Sequence, residues 1–467
     1  MNFRRNGSFW TEAAARFLLS IALCIGCGAV CADMFAVTGT ETSELPIPTG
    51  PIGLDKVVEI ALQRNPDLMA ARERIAQAEA RVEEAVAAFY PNLKADIAYS
   101  YSNNPSLAFA AIVAQRRFSS SLNINHPGFQ ANFRPELVAT WSLFRGWRDS
   151  YQRKAAELGV DAAELEKAAL RNQLAAAVTA AYYARLTAGE QIRVGETSRQ
   201  TVQSELKHVR IRWEEGTVLR SDVLSLEARL AQTEEALLKS RNAVELTLSS
   251  LKTLLGLEHN EVLKIKSPTK IETPKVDDQF EALLAKALSH RPEMEAARRQ
   301  VEIRQEELQA VRGAQLPRVD AYATYGQNTR SPNFSLHQDN FTVGVNAEVD
   351  LFTGGGLSAR ISAAEHKMAE SRLLERRTRQ EISDQVKQAY LLLLEAIERV
   401  RVTDIATTAA KEALRLVREQ HRSGTATVTR YLEAQTVATD ARSRFVSARY
   451  DALVAEANLN RATGYWR

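Results

Sequence analysis

Apolar residues recur at every second position in four short stretches of this chain, and at every third or fourth position in two much longer tracts. Leu93, Ala95, Ile97, Tyr99 and Tyr101 alternate with Lys94, Asp96, Ala98, Ser100 and Ser102, and Leu137, Ala139, Trp141 and Leu143 alternate again before Arg145-Gly146. In the second half Val319–Gln327 repeats this weakly, and Phe341, Val343, Val345, Ala347, Val349 and Leu351 alternate cleanly with Thr342, Gly344, Asn346, Glu348 and Asp350. Period two with one apolar face predicts two strands in each half, joined by polar loops at 104–134 and 328–340. Strands of about 10 residues can cross a hydrocarbon core when tilted. Four cannot close a membrane barrel, since small barrels need about eight. If these strands enter a membrane, several chains must share one barrel.

The longer tracts carry helical spacing. Ala155, Leu158, Ala162, Leu165 and Ala169 step by three and four, as do Ile382, Val386, Ala389, Leu393, Ala396 and Val400. These are seams for helix-on-helix packing, with small Ala allowing close approach. Arg148 to Trp213 and Ser358 to Arg422 hold no strong breaker, so each predicts a helix of about 100 Å. Each ends at a matched turn, Trp213-Glu214-Glu215-Gly216-Thr217 and His421-Arg422-Ser423-Gly424-Thr425. There Gly is expected as the C-cap and Thr or Ser as the cap of a returning helix. The returning helices are expected to reach Gly256 and Gly464. Two short helices precede the strands, broken at Asn65-Pro66 in one half and at Arg291-Pro292 in the other.

These features are duplicated. Leu62–Arg72 returns as Leu288–Arg298, Tyr90-Pro91 as Leu316-Pro317, Leu143-Phe144-Arg145-Gly146 as Leu351-Phe352-Thr353-Gly354, and Leu255-Gly256-Leu257 as Thr463-Gly464-Tyr465. A repeat of roughly 200 residues exceeds a solenoid unit and means two copies of one architecture. The expected organisation is a signal peptide at 1–32, an extended lead-in at 33–53, a first repeat at 54–257 with its hairpin at 93–144, a connector at 258–278, and a second repeat at 279–467 with its hairpin at 318–352.

Composition sharpens this picture. All 13 prolines lie between Pro46 and Pro332 and none falls in 136–267, which leaves both long tracts free for helix. Arg4, Arg5 and Arg16 precede the apolar run Phe17–Ile25, and Val30-Cys31-Ala32 fits a small-x-small cleavage site, so export is expected. All three cysteines, Cys24, Cys27 and Cys31, lie in that segment, and cleavage after Ala32 leaves none. Lipidation at Cys27 is the rival reading. Loss of the segment lowers the net charge from +3 to +1, which offers nothing to a nucleic acid.

The ordered, duplicated motifs resemble those of the TolC-like outer-membrane efflux proteins over residues 54–466. The resemblance implies a mainly α protomer with four strands. In a homotrimer these would build one shared twelve-stranded β-barrel in the outer-membrane lipid, continued by an antiparallel coiled-coil α-barrel across the periplasm. It also implies a passive exit duct of a tripartite efflux or type I secretion system, with a periplasmic adaptor and an inner-membrane pump as partners and no cofactor. Gly216, Thr217, Gly424 and Thr425 would sit at the adaptor-docking tips. Some relatives carry a carboxylate ring in an Asp-Val-Leu-Asp pattern after the second Gly-Thr. Here that stretch is Arg430-Tyr431-Leu432-Glu433, and its first-half counterpart holds Asp222. Asp222, Arg430 and Glu433 are therefore the candidate pore-entrance residues. The Arg that locks the closed tip in some relatives stands as Ala426, so that lock is not carried over.

No catalytic constellation appears. The seven histidines, His126, His208, His259, His290, His337, His366 and His421, form no His-x-x-x-His pair. Gly354-Gly355-Gly356 lacks the Lys-Ser/Thr of a phosphate loop and is expected as a strand-to-helix turn. Trp141, Trp147, Tyr99, Tyr101 and Trp466 are candidates for interfacial aromatics, with core packing or terminus docking as the equal alternative for Trp147 and Trp466. The rival to a duct is a soluble periplasmic scaffold or adaptor, and the alternating strands separate the two, since a scaffold has no use for them.

Overall fold

The computed structural model describes residues 50–466 except 269, 270, 277, 278 and 335. The expected signal peptide, Cys27 and most of the lead-in lie outside the described residues. Residues 85–149 and 312–357 form a sheet unit, and the remaining described residues form a helical unit.

The helical unit contains the same succession twice. Helices α1 (Leu54–Arg64) and α2 (Pro66–Ala87) lead, by way of the sheet unit, to α4 (Arg148–Glu214) and α5 (Arg220–Leu255). Helices α6 (Phe280–His290) and α7 (Pro292–Arg312) lead to α8 (Gly356–Arg422) and α9 (Val428–Thr463). Both α4 and α8 have 67 residues and both α5 and α9 have 36. The long helices therefore run about 100 Å each. The seam from Ile382 to Val400 is buried at every predicted position. In α4 the equivalent seam buries Leu158 and Ala162 and leaves Ala155, Leu165 and Ala169 half-buried.

The helix breaks and the closing glycines meet. Asn65 is buried, and its Oδ1 accepts from the backbone N–H of Asp67 at 2.9 Å and of Leu68 at 3.3 Å, capping α2. Its Nδ2 donates to the Leu254 carbonyl at 2.9 Å, at the end of α5. Gly256 has φ +66° and lies so close to the Arg64 carbonyl that a Cβ would stand 2.4 Å from that oxygen. Only glycine suits both constraints. In the second half Gly464 lies against His290 and Arg291 in the same way. Around these joints α1 packs Val57, Ile60 and Ala61 on Val178, Tyr182, Leu251 and Leu255, while α6 packs Leu283 and Ala287 on Ile382, Val386 and Leu459. The connector is tied in by Ile52, which exchanges backbone bonds with Lys264 and Lys266, and by Tyr182, whose hydroxyl donates to the Lys266 carbonyl at 2.6 Å.

The sheet unit holds one four-stranded antiparallel sheet in the order β1 (Asn92–Ser102), β2 (Gln130–Arg145), β3 (Arg318–Gln327), β4 (Asp339–Glu348). Three expectations need correction. The polar loop expected at 104–134 contains a helix, α3 (Pro105–Ala114), capped by Asn104 with Pro105 in its first turn. Strand β2 starts at Gln130, seven residues before the alternation becomes visible, because Asn132 and Pro135 disguise its pattern. Strand β4 stops at Glu348, which pairs with Arg318; no part of β3 lies beyond that point to receive Val349–Leu351.

Arg291 replaces Asn65 at the second joint and is buried, with Nη2 2.7 Å from Glu293 Oε1 and Nη1 2.6 Å from Gln385 Oε1. Burial pushes the Glu293 carboxyl up, but the hydrogen bonds and charge of Arg291 outweigh it and hold it below the usual carboxylate range. A depressed folded pKa gives stability that is present above the ordinary carboxylate value and is lost as pH falls through the folded one. The melting midpoint should therefore drop as pH falls below about 4, and Glu293→Gln should flatten that drop and cost about 2 kcal/mol at neutral pH, as read by circular dichroism in detergent.

Candidate functional site: the sheet face and the hairpin tips

Register places the alternating residues of all four strands on common faces. Leu93, Ala95 and Ile97 of β1 stand opposite Ala139, Leu137 and Pro135 of β2, and Leu137, Ala139 and Trp141 stand opposite Tyr325, Ala323 and Ala321 of β3. Those residues in turn stand opposite Phe341, Val343 and Val345 of β4. One face is therefore apolar from edge to edge, while the other carries Lys94, Asp96, Arg134, Glu136, Asp320, Thr324 and Asn346. Much of the apolar face lacks cover among the described residues: Ile97, Tyr99, Phe341, Val343 and Val345 are each more than half exposed. At about 3.3 Å per residue and a tilt near 40°, its height is about 20–25 Å, the size of a barrel's lipid-facing band. Tyr99, Tyr101, Phe129, Tyr325 and Phe341 cluster toward the loop end, and Tyr90, Trp141 and Trp147 toward the helix end, as interfacial girdles do. Trp466 belongs to neither girdle, because its backbone N–H docks on Asn172 Oδ1 at 3.4 Å in the helical unit. Neither outer edge of the sheet is paired among the described residues. No helix among them is long and apolar enough to cross a membrane.

The two hairpin turns share one geometry. Gly216 has φ +75° and Gly424 φ +80°. The N–H of Thr217 bonds back to the Arg212 carbonyl at 2.8 Å, and that of Thr425 to the Gln420 carbonyl at 2.8 Å. Both threonine hydroxyls donate to the same carbonyls, at 2.9 and 3.0 Å. These are left-handed glycine C-caps. Thr217 and Thr425 thus finish the outgoing helices and do not cap the returning ones as expected. Capping of the returning helices falls to Thr427, whose hydroxyl accepts from the Arg430 N–H at 3.2 Å, and to Asp222, whose Oδ2 accepts from the Leu219 N–H at 3.4 Å.

Asp222 and Arg430 occupy the same position, third in the first turn of α5 and α9. A carboxylate there agrees with the helix dipole, whereas the cation at Arg430 opposes it by about 0.3–1 kcal/mol. Arg430 is exposed and, among the described residues, pairs with Glu433 at 3.4 Å on an equally exposed side chain. Local folding thus gives no reason for an Arg at this place. The structure brings Arg430 and Glu433 together and leaves Asp222 on its own helix terminus.

Behind the tips lies a core that the sequence reading missed. Val202, Leu206 and Val209 of α4, Val223 and Leu226 of α5, Val417 of α8, and Val428 and Tyr431 of α9 form one buried cluster. Both hairpins of the chain are therefore locked to each other. Tyr431 is fully buried and stacks on His421, centroids 5.6 Å apart. His421 Nδ1 lies 3.1 Å from the Ala426 carbonyl, which fixes its donor there and turns Nε2 toward buried Glu205 at 3.5 Å. Burial first, and the Glu205 charge second, push the Tyr431 hydroxyl up. Slightly deeper, Gln435 joins three helices, donating to Ser198 Oγ at 2.7 Å and accepting from Arg229 at 3.1 Å. Glu205 and His421 are 216 residues apart, so no spacing rule pairs them. Their only sequence trace is that His421 stands three residues before Gly424. Among the described residues no group of His, Cys, Asp and Glu is arranged to hold a metal.

The sequence profile of the outer membrane efflux protein family matches residues 57–257 and 283–465. The chain is 26% identical to the alkaline protease secretion protein AprF of Pseudomonas aeruginosa over 69% of its length and 68% of that protein's. It is 26% identical to the outer membrane protein TolC of Vibrio cholerae over 76% of its length and 83% of that protein's. The crystal structure of a membrane protein from Pseudomonas aeruginosa superposes with a TM-score of 0.76 at 19% identity, covering 88% of this chain and 90% of that one.

Truncating Tyr431 to Ala should remove about 3–5 kcal/mol from the tip core. Amides of Val428–Glu433 should then exchange faster with deuterium and the tip become cleavable by protease. Arg430→Ala, on an exposed side chain, should leave both readouts within about 0.5 kcal/mol of wild type.

Proposed function

The chain belongs to the outer membrane efflux protein family, an exit duct of the bacterial outer membrane, and from that premise we propose that three copies build one pore. The premise sets aside the soluble scaffold. The observation that carries the assembly is the sheet with one apolar face and two open edges. In hydrocarbon an unpaired edge leaves a row of amides and carbonyls without partners, which a membrane does not tolerate. Four antiparallel strands per copy allow β4 of one copy to pair antiparallel with β1 of the next. Three copies then close twelve strands with the polar faces turned inward, which gives an even-numbered barrel wide enough for a lumen.

Helix α8 supports the same assembly. Leu373, Leu391, Leu394, Val402, Ile405 and Leu416 are exposed. At about 100° per residue they share one stripe, opposite the buried seam of Ile382–Val400. One stripe packs inside the chain and the other awaits a neighbouring copy. The duct is passive, and an inner-membrane pump supplies the energy through a periplasmic adaptor that meets the Gly216-Thr217 and Gly424-Thr425 tips. Three copies of Arg430, Glu433 and Asp222 ring the entrance, where Arg430 and Glu433 set its charge.

The deciding experiment is single-channel recording of the detergent-purified chain in a planar bilayer, with the oligomer mass measured in parallel. Discrete openings from a trimer are expected; a monomer without bilayer activity would overturn the duct. Arg430→Glu should shift cation preference upward and change unit conductance, and an unaltered current would remove Arg430 from the constriction. Gly424→Pro cannot adopt φ +80° and loses the N–H bonded to the His421 carbonyl. It should weaken adaptor capture while trimer mass is kept.

A further inference from the structure

A buried glutamine gathers the basic loops at the far end of the sheet. Gln115 follows α3 and is 1% exposed. Its Nε2 donates to the Ala131 carbonyl at 2.8 Å, to Asn132 Oδ1 at 3.1 Å and to the Thr329 carbonyl at 3.4 Å. Its own carbonyl accepts from Gln338 Nε2 at 2.8 Å. The residues next to this knot are Arg116 and Arg117 on one segment and Arg330 on the other. Residues 103–134 and 328–338 hold four arginines and two histidines, and no Asp or Glu. Arg134 is turned to the polar face and paired with Glu136 at 3.7 Å, so Arg116, Arg117 and Arg330 remain for the rim.

An apolar groove of about 380 Å³ adjoins the rim, lined on the lipid face by Ile97, Pro135, Leu137 and Tyr325 and at its end by Phe334. Phe334 is held there by its edge-on contact with buried Phe133, centroids 6.4 Å apart. Asp339 also lines the groove, and Arg116 Nη2 donates to its carbonyl at 2.9 Å and meets its carboxylate at 3.4 Å. Arg117 Nη1 donates to Gln115 Oε1 at 2.9 Å, which anchors one arm of its guanidinium beside the knot and leaves the other arm to a ligand. Guanidinium groups stand therefore at the loop end of an apolar groove whose lining also includes Asp96, Glu136 and Asp339; Asp96 and Glu136 pair with each other in the register that alternates with Ile97 and Leu137, on the sheet's polar face.

We propose that this rim is a docking site for a phosphorylated outer-leaflet lipid, with its phosphate on Arg117 and Arg330 and one acyl chain in the groove beneath Phe334. The inference rests on the outer-membrane duct reading. Phosphate is the anion that guanidinium forks match, and charge complementarity selects it over a neutral headgroup. The loops themselves carry no acid to neutralise Arg117 and Arg330, and the groove supplies the apolar half that free phosphate would not use.

The test uses the full-length protein in detergent with diphosphorylated lipid A, phosphatidylcholine and inorganic phosphate as separate probes, and counts retained lipid by native mass spectrometry. Lipid A should be retained and phosphatidylcholine should not. The double variant Arg117→Gln/Arg330→Gln should bind lipid A at least tenfold more weakly, Phe334→Ala about threefold more weakly, and Arg117→Lys/Arg330→Lys within about threefold of wild type. Unit conductance should be unchanged in all three, so lost lipid with intact current separates this site from the duct itself. Undiminished retention in the glutamine pair, equal retention of phosphatidylcholine, displacement by equimolar inorganic phosphate, or lysine variants no better than glutamine would each overturn the proposal.

Discussion

A sheet edge in hydrocarbon has nowhere to send its backbone hydrogen bonds, and much of this protein's organisation follows from that. The four strands are too few to close and too apolar on one face to stand in water. In the proposed assembly the chain completes its sheet by giving its edges to other copies. Helix α8 fits the same assembly, with one stripe buried within the chain and the opposite one exposed.

Within one copy, order is imposed at joints and tips. At the joints, a helix break and a closing glycine from distant parts of the chain interlock. Asn65 solves the break with an amide that caps one helix and holds the end of another. Arg291 does the equivalent with a charge, and needs Glu293 and Gln385 to be buried at all. At the tips the two hairpins share a single apolar cluster closed by Tyr431, so a change at one turn is felt at the other. The exposed Arg430 is placed against the local dipole in the first turn of α9, the kind of local cost expected where function sets the residue.

The sequence was legible wherever the period was clean. The heptad from Ile382 to Val400, the strand from Phe341, the two Gly-Thr turns and the Asn65-Pro66 break all carry local signals strong enough to survive into the structure. It was misleading where a local pattern lacked a partner or was disguised. The alternation through Leu351 outruns β3, Asn132 and Pro135 hide the first half of β2, and an uncharged run after Asn104 becomes α3 instead of loop. Thr217 and Thr425 looked like caps of the helices that follow, yet the left-handed glycine before each turns its hydroxyl back to the helix that precedes it.

By itself the sequence determined the types of the long helices and of the strands, the duplication and the positions of the turns, because helix and strand period and glycine's freedom at positive φ are local properties. Only the tertiary structure decided which residues from the two halves meet. The Glu205–His421–Tyr431 contact, the Gln435 bridge and the knot at Gln115 join positions up to 237 residues apart. Such contacts depend on register and on how helices pack, and neither quantity is encoded in the spacing along a single chain.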